Sequence, residues 1–188
     1  MQVASYIDNF REEKMKSRII SIIAVVILLS GLSGCIIQPL AEPTAGDRAR
    51  LRVISDRDGY GYPNRDCLDW SAPGRGSLFA LNTIVPVSPA NKTIGIPATT
   101  SRTYGTMNEF YLEAGKPFSL EFREGRRSRY YCQMAMTLSF VPMLNKDYEA
   151  ELNVDQTAMT CALSLKIFNE SSKAWESIRF TQPQRCKK

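Results

Sequence analysis

Histidine is absent from all 188 residues. Its absence removes the Ser-His and Cys-His pairs that activate most nucleophiles, and with them the commonest metal ligand. None of the five cysteines forms a C-x-x-C pair, so the usual zinc spacings are missing and no metal or cofactor is expected. Beyond residue 35 there is no S-x-x-K, which removes the serine-lysine arrangement of penicillin-binding proteins. Long apolar runs are scarce as well. The one candidate, Ile19 to Gly34, falls short of the roughly 20 residues a membrane-spanning helix needs.

That apolar run follows Lys16 and Arg18 and closes on small residues, the layout of an export signal that is removed from the mature chain. Its exit, Leu32-Ser33-Gly34-Cys35, resembles the lipobox of bacterial lipoproteins at all four positions. The resemblance implies that Cys35 receives diacylglycerol, is cleaved on its amino side by the lipoprotein signal peptidase and is then acylated. Ile36, rather than an aspartate, follows that cysteine, which in enterobacterial lipoproteins implies sorting to the outer membrane, here on its periplasmic face. Met15, directly before the basic residues, is the better start. Residues 1–14 then read as an upstream extension without a role, 15–34 as the signal, 35–47 as a lipidated tether with Pro39 and Pro43, and 48–188 as one domain.

Removing Arg11, Lys14, Lys16 and Arg18 from the 24 basic residues, and Asp8, Glu12 and Glu13 from the 19 acidic ones, leaves a net charge of +4. An excess this small favours anionic neighbours but lacks the dense basic surface of a nucleic-acid binder, so no nucleic-acid partner is expected.

In an oxidising compartment the remaining Cys67, Cys132, Cys161 and Cys186 read as two disulfides. Of the three pairings, Cys67–Cys132 with Cys161–Cys186 is favoured because the second bridge would pin the polar tail "TQPQRCKK".

The rest of the chain is strand-like. In "CQMAMTLSFVP" (132–142) Cys132, Met134, Met136, Leu138 and Phe140 alternate with smaller or polar residues, and "MTCALSLKIFN" (159–169) repeats the pattern. Period two buries one face. Further strands are expected at 48–55, 77–85, 92–96, 108–114, 117–122, 147–154 and 176–181, with turn residues between them. "FVPMLNKDYEAEL" reads as a core hairpin turning at Asn145 to Asp147, with Phe140 and Tyr148 packing at its strand ends. Seven to nine short strands without a long amphipathic helix predict an all-β, disulfide-stabilised antiparallel sandwich; a small barrel is the alternative.

Two stretches could carry recognition. "FREGRRSRYY" crowds Arg123, Arg126, Arg127 and Arg129 into one strand connection, suited to phosphate or carboxylate, or else a solvated turn that protects a sheet edge. "DRDGYGYPNRDCLDW" gathers Tyr60, Tyr62 and Trp70 with four aspartates in what reads as a long loop. Its rings could stack on sugar, whereas Gly59 comes too early for a calcium loop. Carboxylate pairs such as Glu109 with Glu121, or Asp147 with Glu149, sit at ordinary strand positions with nothing to make them converge. The expectation is a non-enzymatic structural or interaction protein, held at the membrane by its lipid and contacting a protein of an envelope assembly. A periplasmic glycan or small-ligand binding module is the alternative. In size, anchor and fold class the chain is similar to small β-sandwich lipoproteins of envelope machines, an analogy that transfers no residue role.

Overall fold

A computed structural model describes residues 38–79, 91–99, 106–123, 136–155, 157–158 and 160–187. Cys35, Arg126, Arg127, Arg129 and Cys132 lie outside them. The described residues form nine strands and no helix: β1 Arg48–Ser55, β2 Asp58–Pro63, β3 Gly76–Phe79, β4 Thr106–Glu113, β5 Phe118–Arg123, β6 Met136–Phe140, β7 Asp147–Asp155, β8 Thr160–Asn169 and β9 Ala174–Ser177. They make a sandwich of two sheets, ordered β4-β1-β7-β8-β9 and β3-β2-β5-β6. Neighbours are antiparallel except β1 and β7, which run parallel. That exception arises because β7 enters from the opposite sheet rather than from a hairpin.

The period-two residues build the core. Leu51, Val53, Phe110, Leu112, Tyr148, Ala150, Leu152 and Leu165 meet Leu78, Phe118, Leu120, Phe122, Leu138 and Phe140 from the facing sheet. Cys161, Leu163 and Ile167 of β8 pack at its margin, on the apolar face expected for them.

Five expectations need correction. The first half of the loop "DRDGYGYPNRDCLDW" is strand β2. Its alternation is inverted: Gly59 and Gly61 face inward, where an added Cβ at Gly61 would lie 2.8 Å from Leu40 and 2.9 Å from Phe118, while Tyr60 and Tyr62 point outward. Conversely, 92–96 is not a strand. Its Ile94 and Ile96 amides donate to the Glu109 carboxylate at 2.6 and 3.2 Å, so the segment lies as a strap on the outer face of the five-stranded sheet.

The stretch from Phe140 to Tyr148 is a crossover, since β6 and β7 belong to different sheets. Six residues are too many for a two-residue hairpin turn, and their backbone bonds to Arg48 and Gly115 instead. The two rings do pack at the strand ends, with centroids 4.9 Å apart.

The disulfide joins Cys67 to Cys186 rather than to Cys132. The tail runs beside the loop after β2, with the Leu68 amide donating to the Gln184 carbonyl at 2.8 Å, which brings the two cysteines together. Cys161 is disulfide-bonded as well.

The segment expected as a tether is docked from Gln38 onward. Gln38 and Leu40 bond to Ser77, Leu40 is buried, and Glu42 pairs with Lys92. Gly76 permits this, because a Cβ there would sit 2.2 Å from the Pro39 backbone.

Candidate binding surface

Outward-facing residues of both sheets carry charge, and the two faces are built differently. On the five-stranded sheet, strand register sets Glu109, Arg52, Glu149 and Lys166 side by side on β4, β1, β7 and β8. Arg52 reaches Glu109 at 2.7 Å and Glu149 at 3.2 Å, and Lys166 reaches Glu149 at 3.3 Å. The strap closes over them: the Arg52 guanidinium donates to the Ile96 carbonyl at 2.9 Å, and the Trp175 indole to the Ala98 carbonyl at 2.9 Å. Burial opposes ionisation of Glu109, yet the Ile94 amide, the Arg52 guanidinium and the Ile96 amide together hold its carboxyl below the usual range. Arg50 makes a two-pronged pair with Asp147 at 2.6 and 2.7 Å, and that bond raises its already high pKa.

On the four-stranded sheet, pairing of β2 with β5 puts Tyr60 opposite Glu121 and Asp58 opposite Arg123. The loop from Asn64 to Arg75 then folds back over these strands. Asp69 turns it by accepting from the Ser71 amide and hydroxyl at 2.9 and 2.7 Å, and the disulfide at Cys67 holds its base. Trp70 and Arg75 thereby reach the tyrosines.

The result is a stack of cations on rings. The Arg123 guanidinium carbon lies 3.4 Å from the Trp70 ring centre and 5.0 Å from that of Tyr60. Arg75 lies 4.7 Å from Trp70, 4.9 Å from Tyr60 and 5.7 Å from Tyr62. Glu121 accepts from the Tyr62 hydroxyl at 2.6 Å and from Arg123 at 3.1 Å. Burial and the adjoining Glu121 push the Tyr62 hydroxyl up to about 12, against the opposing influence of Arg75. The buried Nε of Arg75 has no hydrogen-bond partner among the described residues. Trp70 keeps 43% of its surface exposed, so the cluster is open to a partner.

Of the residues expected at a site, Tyr60, Tyr62, Trp70 and Arg123 converge here, although they come from two features separated in sequence. Arg75 escaped sequence reasoning. Its signal is a lone arginine between Gly74 and Gly76, where the chain is free to turn a long side chain inward. Glu109 and Glu121 lie on the outer faces of opposite sheets with the core between them, so they share no cleft. Asp147 and Glu149 are each occupied by an arginine.

No protein-family model, curated protein or solved structure matches this chain.

Proposed function

We propose that the protein is a non-enzymatic, lipid-anchored component of the cell envelope, held by Cys35 on the periplasmic face of the outer membrane, which binds an acidic segment of a partner protein. The reading is supported above all by the Trp70–Arg75–Arg123 stack. Aromatic faces orient guanidinium planes and leave their N–H edges available, the geometry in which arginine takes a carboxylate with two parallel bonds. Arg123 pairs with Glu121 at 3.1 Å, whereas Arg75 is held against the Trp70, Tyr60 and Tyr62 rings. The connection after Arg123 adds Arg126, Arg127 and Arg129 in sequence, against one acidic residue, Glu124.

Crosslinked pull-down from the native host tests this reading. A recurrent protein neighbour, crosslinked through an acidic segment and lost in an Arg75→Ala/Arg123→Ala variant, is expected. Repeated recovery of no neighbour, or a neighbour retained by the variant, overturns it. Cys35→Ala should release the protein from membranes, and unchanged fractionation contradicts the anchor.

A glycan-binding alternative is favoured by the exposure of Trp70. Arg123 already covers a face of that ring at 3.4 Å, where a sugar would stack. Calorimetry against neutral cell-wall fragments should therefore show no heat.

A further inference from the structure

Apart from Trp70, the large hydrophobic side chains most exposed among the described residues are Val141 (56%), Met143 (54%) and Leu144 (49%). All three belong to the crossover between β6 and β7. That crossover is firmly braced. The Pro142 carbonyl accepts from the Gly115 amide at 2.7 Å, the Asn145 amide donates to the Arg48 carbonyl at 2.9 Å, and the Met143 amide donates to the Tyr148 hydroxyl at 2.9 Å. Pro142 is buried, and Asn145 turns the chain at a φ of 57°. The apolar side chains are thus displayed by a fixed frame. The crossover bonds to the backbones of Arg48 and of Gly115 next to Lys116, and Lys146 closes it, so three basic residues neighbour it in the chain against Asp47 and Glu113. An apolar tip with a basic rim is the composition that enters the headgroup layer of an anionic bilayer.

The length of chain available to the anchor points to the same occupant. Gln38 is fixed on β3, its carbonyl accepting from the Ser77 amide at 2.8 Å. Two residues, Ile36 and Ile37, separate it from Cys35, a reach of about 11 Å over three Cα steps at full extension. A lipid on that cysteine cannot let the domain stand off; it holds the domain against the membrane. The docked segment and the tip also share one end of the sandwich. Leu40 and Phe118 close over Gly61, and Phe118 packs on Phe140, the residue before Val141, with centroids 6.3 Å apart. Arg123, at the far end of β5, lies about 17 Å along the strand from Phe118.

We infer that Val141, Met143 and Leu144 enter the bilayer interface as a second membrane contact in addition to the acylated cysteine, with Arg123 at the end of β5 far from this tip. This rests on the lipid-anchor reading above.

The test uses the full lipidated protein in vesicles of brominated phosphatidylglycerol and phosphatidylethanolamine, with Met143→Trp and Leu144→Trp as separate variants. Relative to the native Trp70 and Trp175, the added tryptophan should emit to the blue and be quenched by the brominated chains. Protein that floats with the vesicles while the added emission stays water-like and unquenched overturns the inference and leaves the anchor standing. Protein that fails to float overturns both. A blue shift that needs no lipid and grows with protein concentration assigns the tip to a second copy of the chain and also overturns it.

Discussion

The two sheets place arginine on their outer faces to opposite ends. Arg52 is enclosed, with carboxylates on both flanking strands and a backbone carbonyl of the strap above it. Arg75 and Arg123 are stacked on rings beside a tryptophan that remains 43% exposed, and one carboxylate serves both the tyrosine and an arginine. Charge enclosed by carboxylates holds a strap in place; charge stacked on rings beside an exposed tryptophan is available to something else. What separates the two roles is the balance and the cover around the guanidinium, since the side chain is the same.

Breaking the enclosed side should cost most. Arg52→Ala leaves Glu109 buried without its cation and Glu149 with Lys166 alone, a loss on the order of 3–5 kcal/mol, read as a lowered urea midpoint. An equal midpoint for Arg52→Ala and Arg123→Ala would erase the contrast. The next effect belongs to the recognition side. Cys67→Ser/Cys186→Ser opens a loop closed over a separation of 119 residues, for which the chain-entropy model gives about 5 kcal/mol and typical measurements about 2–4. It should free the Trp70 loop and tail, seen as faster amide exchange there, while amides of Ile94 and Ile96 stay protected.

Glu109 sharpens the comparison through pH. Its carboxyl is held below its unfolded-state value, so its stabilising contribution is complete above the ordinary carboxylate range and is lost as pH falls through the folded-state value. The stability gap between wild type and Glu109→Gln should therefore be widest near neutral pH and shrink on acidification. Tyr62 behaves in the opposite sense. Its raised value, about 12, gives stability that is present below the unfolded tyrosine value and lost as pH rises toward the folded one. Absorbance titration should find this hydroxyl still protonated where ordinary tyrosines have ionised. The smallest stability change is expected for Arg75→Ala and Arg123→Ala, about 1–2 kcal/mol each, because these half-buried guanidiniums stack on rings instead of being enclosed by carboxylates.

Much of the fold was legible. β1, β5, β7 and β8 lie within a residue or so of their expected bounds because one apolar face and bounding turns suffice to mark a half-buried strand. β2 was hidden because its inward positions are glycines, filled by Leu40 and by Phe79 and Phe118 from neighbouring strands, so no apolar alternation exists to detect. The strap misled for the converse reason: Ile94 and Ile96 alternate like a strand, but a carboxylate from β4 satisfies their amides. The aromatic and arginine stretches were each visible as recognition candidates. Their meeting was not, since it depends on the register of β2 against β5.

Local chain physics was enough to establish an all-β domain with its alternating core faces, because side-chain direction repeats every two residues whatever the partner strand. The lipobox resemblance is local too, contained in four consecutive residues. Which strands neighbour one another, which cysteine meets Cys67, and whether an arginine ends up enclosed or open were settled only when the sheets closed on each other. Those outcomes depend on contacts between segments far apart in the chain, and their free energies are shared among many residues at once.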